Sequence, residues 1–136
     1  GKEIKITKVK DILSQKKEIP LIISVNPRDN LNKAINLMHK YNISQLPVID
    51  DVKLVGSLNE ASVMKILHDG IDFTNQQISA IMGKPLPTLD EDTDISEAYR
   101  ILLSGTSGII VTRKEIPVGV ITRVDLIRSW TTQKET

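Results

Sequence analysis

Asn30 to Leu67 reads NLNKAINLMHKYNISQLPVIDDVKLVGSLNEASVMKIL, and Asp94 to Trp130 reads DISEAYRILLSGTSGIIVTRKEIPVGVITRVDLIRSW. Laid over one another, Leu31 falls on Ile95 and Ala34 on Ala98. Val48 falls on Val111 and Gly56 on Gly119, with one residue lost where HKYNIS becomes LSGTS. A nearly constant offset held across helix-like and strand-like stretches marks a duplicated unit. Each copy starts at a polar cap position, Asn30 or Asp94, suited to a helix N-terminus. Leu31, Ala34, Ile35 and Met38 recur at helical spacing, as do Ile95, Ala98, Tyr99 and Leu102. Two β-rich runs follow in each copy, QLPVI with KLVGSL and GIIVT with PVGVIT, joined by short polar links that predict hairpins. A second helix closes each copy, near Glu60 to His68 and near Arg123 to Trp130. LIISV (Leu21 to Val25) and PTL (Pro87 to Leu89) are expected as the leading strands. The fold class is α+β, with the order β-α-β-β-α written twice.

The bounds are 8–68 for the first repeat, 69–86 for a connecting segment and 87–130 for the second repeat. Ile78, Ile81 and Met82 predict a short helix in the connection, ended by Gly83 and Pro85. VKDILSQKKEIP predicts a short helix and loop ahead of the first repeat, with Lys16, Lys17 and Glu18 in a solvated turn. Aromatic residues make up only 3% of the 136, so Ile, Val and Leu must fill the core. The 18 basic residues nearly balance the 17 acidic ones, which argues against nucleic acid as a partner. There is no cysteine, which excludes disulfides and thiol catalysis and fits a cytoplasmic setting. No apolar run approaches the ~20 residues of a membrane span. The Lys-rich start after Gly1 reads as an excised fragment.

Thr122-x-x-Asp125, in GVITRVDL, has two readings. As a capping box, the acid reaches back to the Thr amide at the positive end of the helix dipole. As a ligand site, the carboxylate accepts the two hydroxyls of a cis-diol, as on a ribose, beside free helix N–H groups. The first repeat is an internal control: Asn59 and Ser62 stand at the matching positions. Asn keeps the cap, and Ser discards the carboxylate. On this basis removing Asp125 is expected to cost about one helix cap, ~1 kcal/mol.

ISQLPV (Ile43 to Val48) reads as an edge or bulge set by Pro47, or as a stretch in which Ser44, Gln45 and Leu46 leave backbone groups free for a flat ring. His39 and His68 have no partners at metal spacing, and no metal site is expected. DEDTD (Asp90 to Asp94) lacks the calcium-loop pattern and reads as a turn plus a helix cap. Arg113 and Lys114 read as turn residues, and Trp130 as a lone aromatic packed at the end of the last helix. Arg123 reads either as a solvated residue or as a cation reaching a phosphate or carboxylate. No nucleophile elbow, phosphate loop or triad is present, so the chain is not expected to be an enzyme.

With ISQLPV in one copy and PVGVITRVDL closing the other, residues 8 to 130 resemble a tandem CBS-domain pair, the Bateman module. VGSLNEASVMKIL, IMGKPLP and PVGVITRVDLI are in addition similar to the C-terminal regulatory region of cystathionine β-synthase, whose catalytic domain uses pyridoxal phosphate. The resemblance implies repeats packed with pseudo-two-fold symmetry, adenosyl ligands (AMP, ADP, ATP or S-adenosylmethionine), homodimerisation and control of an attached catalytic domain. No cofactor is expected in the fragment itself. Carried onto this sequence, one ligand site would use Ile22, Ile23, Ile43, Ser44, Gln45 and Leu46 with Val120, Thr122, Val124 and Asp125. A second, weaker site would use Pro87, Thr106, Ser107, Gly108 and Ile109 with Asn59 and Ser62. A phosphate would want fixed cations, and Arg123 is the obvious neighbour, so S-adenosylmethionine is slightly favoured. The rival expectation is a structural homodimerisation module with no physiological ligand.

Overall fold

The computed structural model describes residues 5–16, 21–70, 72 and 74–134. The chain divides into two compact units, each with its own core. The first-repeat body comprises Ile23–Pro85. The second-repeat body joins the described residues up to Ile22 to those from Leu86 onward.

The first-repeat body contains α2 (Leu31–Tyr41), β1 (Gln45–Asp50), β2 (Lys53–Asn59) and α3 (Glu60–His68), followed by a single 3-10 turn at Ile78–Ala80. The preceding helix, α1 (Val9–Gln15), belongs to the other body. β1 and β2 form an antiparallel hairpin with a register shift between Val48 and Ile49. Asp51 turns the chain at φ 59, a left-handed conformation that Asp tolerates. Leu31 and Ala34 from α2, Leu46 and Val48 from β1, Leu58 from β2, Val63 from α3 and Ile78 make the core. Full burial of side chains of this kind stabilises by about 1.5–3 kcal/mol each for Val, Leu and Ile. α2 ends at Asn42 in the left-handed region (φ 52), whose N–H returns to the carbonyls of His39 and Met38.

The second-repeat body repeats the plan with β3 (Thr88–Asp90), α4 (Ile95–Leu103), β4 (Ile109–Arg113), β5 (Ile116–Ile121) and α5 (Arg123–Lys134). β3 runs parallel to β4, and β4 antiparallel to β5. The register shift falls between Val111 and Thr112, the position matching the shift in β1. Its core joins Ala98, Leu102, Ile109, Val111, Ile121 and Leu126 to Val9, Ile12 and Leu13 of α1. The amide of Val9 donates to Thr93 O (2.9 Å), and that of Ile95 to Thr7 O (2.9 Å). The connecting segment closes the first-repeat body in the same manner: Leu31 N donates to Gln76 O (2.8 Å) and Ile78 N to Asp29 O (2.9 Å). Thus α1 precedes the first repeat in sequence but completes the body of the second.

Several sequence expectations need correction. Leu21 to Val25 is not a strand; only Val25 bridges, in parallel, to Val48. The two copies show why. In the second body, Ile110 N donates to Pro87 O and Glu91 N to Thr112 O, extending the β3 ladder at both ends. The matching donors in the first body are Pro47 and Pro27, which have no N–H, so the ladder stops after one residue. The helix expected through Met82 shrinks to one 3-10 turn, because Gly83 pairs with Ser57 through N–H···O bonds of 2.9 and 3.1 Å. Asn30 occupies the cap position of α2 without a side-chain cap bond, whereas the Asp94 carboxylate accepts from Ser96 N (2.9 Å) as expected. Tyr99 is 40% exposed and Trp130 56%, so neither packs into the core. Lys17 and Glu18 lie outside the described residues. Lys16 is described and is not solvated: its side chain is 11% exposed.

Candidate functional site

β5 carries the chain out of the sheet at Ile121, and Thr122 is the junction from which α5 starts. Asp125 lies in the first turn of α5 and is 5% exposed. Its Oδ2 accepts from the Thr122 amide (2.9 Å) and the Thr122 hydroxyl (3.2 Å). This is one of the two bonds of a capping box, the acid reaching back to the Thr amide; the Asp125 amide itself bonds the Thr122 carbonyl (3.1 Å). A third donor comes from elsewhere in the same body: Lys16 Nζ lies 3.1 Å from Oδ2 and donates also to Val120 O (2.8 Å). The other carboxylate oxygen, Oδ1, has Arg128 Nη1 at 3.8 Å, beyond hydrogen-bond length. Asp125 is therefore a buried anion neutralised by a nearly buried ammonium. An ion taken from water into such a site persists only when so paired.

Arg123 is committed elsewhere. Its Nε donates to Leu102 O (3.1 Å) and its Nη2 to Thr106 O (3.0 Å), fastening the guanidinium to carbonyls at and just beyond the end of α4. Arg123 stays exposed, as one expectation had it, but two of its guanidinium nitrogens are held by these carbonyls. Charge near the C-terminal end of a helix offsets the negative end of its dipole, and that is the work Arg123 does here.

The matching junction in the first-repeat body is simpler. Asn59 Oδ1 accepts from Ser62 N (2.9 Å), so Asn59 caps α3, and both residues are exposed. Ser44 O accepts from Glu60 N (2.9 Å), while Gln45 and Leu46 pair with Asn59 and Leu58 in the hairpin. The free backbone groups expected at Ser44 to Leu46 are thus taken up at the Ser44 carbonyl and within the β1–β2 ladder. Leu46 is fully buried in the core, and its repeat partner Ile109 is fully buried in the other core. Ile23 and Ile43 pack half-buried on the first-repeat core. Ile22 is half-buried at the end of the stretch counted with the second-repeat body. Val120 and Thr122 are half-buried and Val124 is exposed. Pro87 is half-buried with its carbonyl on Ile110 N, Thr106 holds Arg123 through its carbonyl, Ser107 is exposed and Gly108 is buried.

A separate apolar groove of about 360 Å³ lies between α4 and α5, lined by Tyr99, Leu102, Leu103, Arg123, Leu126, Ile127 and Trp130. Leu103 is 81% exposed and Ile127 64%, so the rim of the groove is apolar. Periodicity placed Tyr99 on the core stripe and gave no sign of this groove. Among the described residues no group of acids, histidines or cysteines is placed to hold a metal ion, and no helix is long and apolar enough to cross a membrane.

A duplicated α+β unit closed by a carboxylate-bearing strand-to-helix junction defines the class of the protein. The family model of the CBS domain matches residues 9–69 and 78–131, and the chain belongs to that family as a tandem pair. It is 28% identical over 143 residues to uncharacterized protein MJ1404 of Methanocaldococcus jannaschii, covering 94% of this chain and 33% of that one. The chain thus spans about a third of this relative's length. Among solved structures, it is similar to the CBS domain pair of protein MJ0100 in complex with 5′-methylthioadenosine and S-adenosyl-L-methionine (TM-score 0.74, 28% identity, 95% and 99% of the two chains covered). CBSX2 in complex with AMP shares the fold at 20% identity, with a TM-score of 0.75 and 90% and 97% coverage.

Proposed function

We propose that the chain is a regulatory module that binds an adenosyl ligand and controls a domain attached to it. The observation that carries this reading is the similarity, over nearly the whole chain, to a CBS pair whose structure contains S-adenosyl-L-methionine and 5′-methylthioadenosine. Thr122 and Asp125 supply the chemistry: a carboxylate at a helix N-terminus is a fit acceptor for a ribose cis-diol. The apolar Val120 and Val124 would flank the nucleoside, and Ser44, Gln45 and Leu46 with Ile22, Ile23 and Ile43 would complete the stronger site. Pro87, Thr106 to Ile109, Asn59 and Ser62 make the weaker one, because Ser62 replaces the carboxylate.

S-adenosylmethionine or a nucleoside with an uncharged tail is favoured over a nucleotide. Arg123 is tied to helix carbonyls and Lys16 is neutralised by Asp125, which leaves neither as a ready phosphate cation. The attached domain is read as a catalytic one, of the pyridoxal-phosphate cystathionine β-synthase type that the motifs resemble, in a cytoplasmic enzyme. A ligand acts on such a domain through its different affinity for two arrangements of the module.

Homodimerisation is the second reading, favoured by the exposed apolar groove between α4 and α5. A second copy of this chain is its proposed occupant. Leu103→Asp would return a dimer to monomers in analytical ultracentrifugation.

Calorimetry with S-adenosylmethionine, 5′-methylthioadenosine, AMP and ATP tests the ligand reading. Saturable binding lost in Asp125→Asn is expected. Absence of binding by all four, in a folded protein, would leave the dimerisation module as the function.

A further inference from the structure

We propose that Lys16 is a built-in occupant of the Asp125 carboxylate, which the cis-diol of a bound nucleoside must displace. The inference rests on the reading of Asp125 as the ribose acceptor. A carboxylate offers about four acceptor positions, two on each oxygen. Oδ2 already carries three donors: the Thr122 amide, the Thr122 hydroxyl and the Lys16 ammonium. Oδ1, which faces Arg128 Nη1 at 3.8 Å without a hydrogen bond, has capacity for a new hydroxyl, so a diol that bonds both oxygens needs one donor on Oδ2 to leave. The Thr122 amide is fixed by the strand-to-helix junction, and the hydroxyl belongs to the same residue. Lys16 arrives on a flexible four-carbon stem from beyond the end of α1, in another part of the sequence. It is the donor that can leave.

Departure of Lys16 also frees Val120 O, its second partner. The ligand would then gain two acceptors in exchange for the Lys16 contacts to Asp125 and Val120. The displaced residue immediately follows α1, whose Val9, Ile12 and Leu13 are buried in the core. Occupancy at Asp125 is in this way reported to Lys16, the residue at the end of α1. The device is an autoinhibitory contact, and it sets a threshold concentration for the ligand.

The test uses 5′-methylthioadenosine, which is uncharged and keeps the diol, with 2′-deoxyadenosine as the probe lacking it. Calorimetric titrations would compare wild type with Lys16→Met, Lys16→Arg and Asp125→Asn. Lys16→Met should bind 5′-methylthioadenosine about fivefold tighter or more, the lower end of ordinary coupling energies. 2′-Deoxyadenosine should gain nothing. Lys16→Arg, which keeps the charge and grips a carboxylate with two donors, should bind no tighter than wild type, so it serves if the Met variant fails to fold. Equal or weaker binding by Lys16→Met, or an equal gain for both probes, overturns the proposal. If Asp125→Asn is at the same time defective, the ligand reading survives alone. Undiminished binding by Asp125→Asn, or no binding by any protein, overturns both.

Discussion

Asp125→Ala is the most informative stability variant, because sequence and structure disagree about its cost. A helix cap alone is worth about 1 kcal/mol. The structure adds a stranded cation: Lys16, 11% exposed, loses the carboxylate at 3.1 Å that neutralises it. Removing one partner of a buried pair costs about 3–5 kcal/mol, because the remaining charge is uncompensated. The expected loss is therefore about 4 kcal/mol, which for a domain of this size lowers Tm by about 12 °C. Lys16→Met leaves the anion with its two Thr122 donors and should cost only about 1–3 kcal/mol. The double variant has neither charge and should be more stable than Asp125→Ala by about 2 kcal/mol. Urea denaturation of the four proteins, followed by far-UV circular dichroism, closes the cycle. A loss near 1 kcal/mol for Asp125→Ala, with additive effects in the double variant, would refute the buried pair as a stabilising unit.

Three further outcomes are expected. A Cβ on Gly119 would lie 2.6 Å from Leu13 Cδ2 in the second core, and one on Gly56 would lie 2.6 Å from Met82 Sδ and 3.0 Å from Gly83 O. Both Gly→Ala variants should lose about 1–3 kcal/mol in denaturant titrations, and unchanged midpoints would contradict the close approaches. Lys114 and Glu115 both hold positive φ (50 and 68) in the two-residue β4–β5 turn, where Asn-Gly is preferred. Lys114→Asn with Glu115→Gly should therefore raise stability by roughly 1 kcal/mol, read as a higher Tm. Burial raises the Asp11 carboxyl, but N–H bonds from Lys8 and Thr7 outweigh it and hold it below its ordinary value. The Ser96 amide and hydroxyl do the same for Asp94. Depressed carboxyls stabilise above their unfolded value, about 3.9, and lose that contribution as pH falls through the lower folded value. Tm should be flat from about pH 7 to 5 and fall below about 4, less steeply in Asp11→Asn; a profile indifferent to that change would refute the assignment.

The parts of the fold legible in the sequence are those whose signal is local. The two hairpins follow from β-rich apolar runs with polar links, and α2 and α4 from stripes at helical spacing. The missing strand before α2 was hidden because its cause sits on another element. Pro47 withholds the N–H that residue 23 would need, and only laying it over Ile110 reveals this. The candidate site divides in the same way. Thr122 and Asp125 were visible as a motif, since three residues of spacing decide a cap. Lys16 was not, because nothing local distinguishes a lysine after a short helix from a solvated one; its partner is 109 residues away. Arg123 looked available for the same reason, until the carbonyls of Leu102 and Thr106 came into reach through the fold.

The placement of α1 has a consequence for the order in which the chain acquires its structure. The first-repeat body is one continuous segment, Ile23–Pro85, and can close as soon as that segment leaves the ribosome. Val9, Ile12 and Leu13 emerge earlier, yet their core partners Ile109, Val111, Ile121 and Leu126 are made only after that segment. During synthesis these apolar side chains must wait through the folding of a whole neighbour before they are covered. Closing so long a loop is also slow, which makes docking of α1 the natural last step in the folding of this pair.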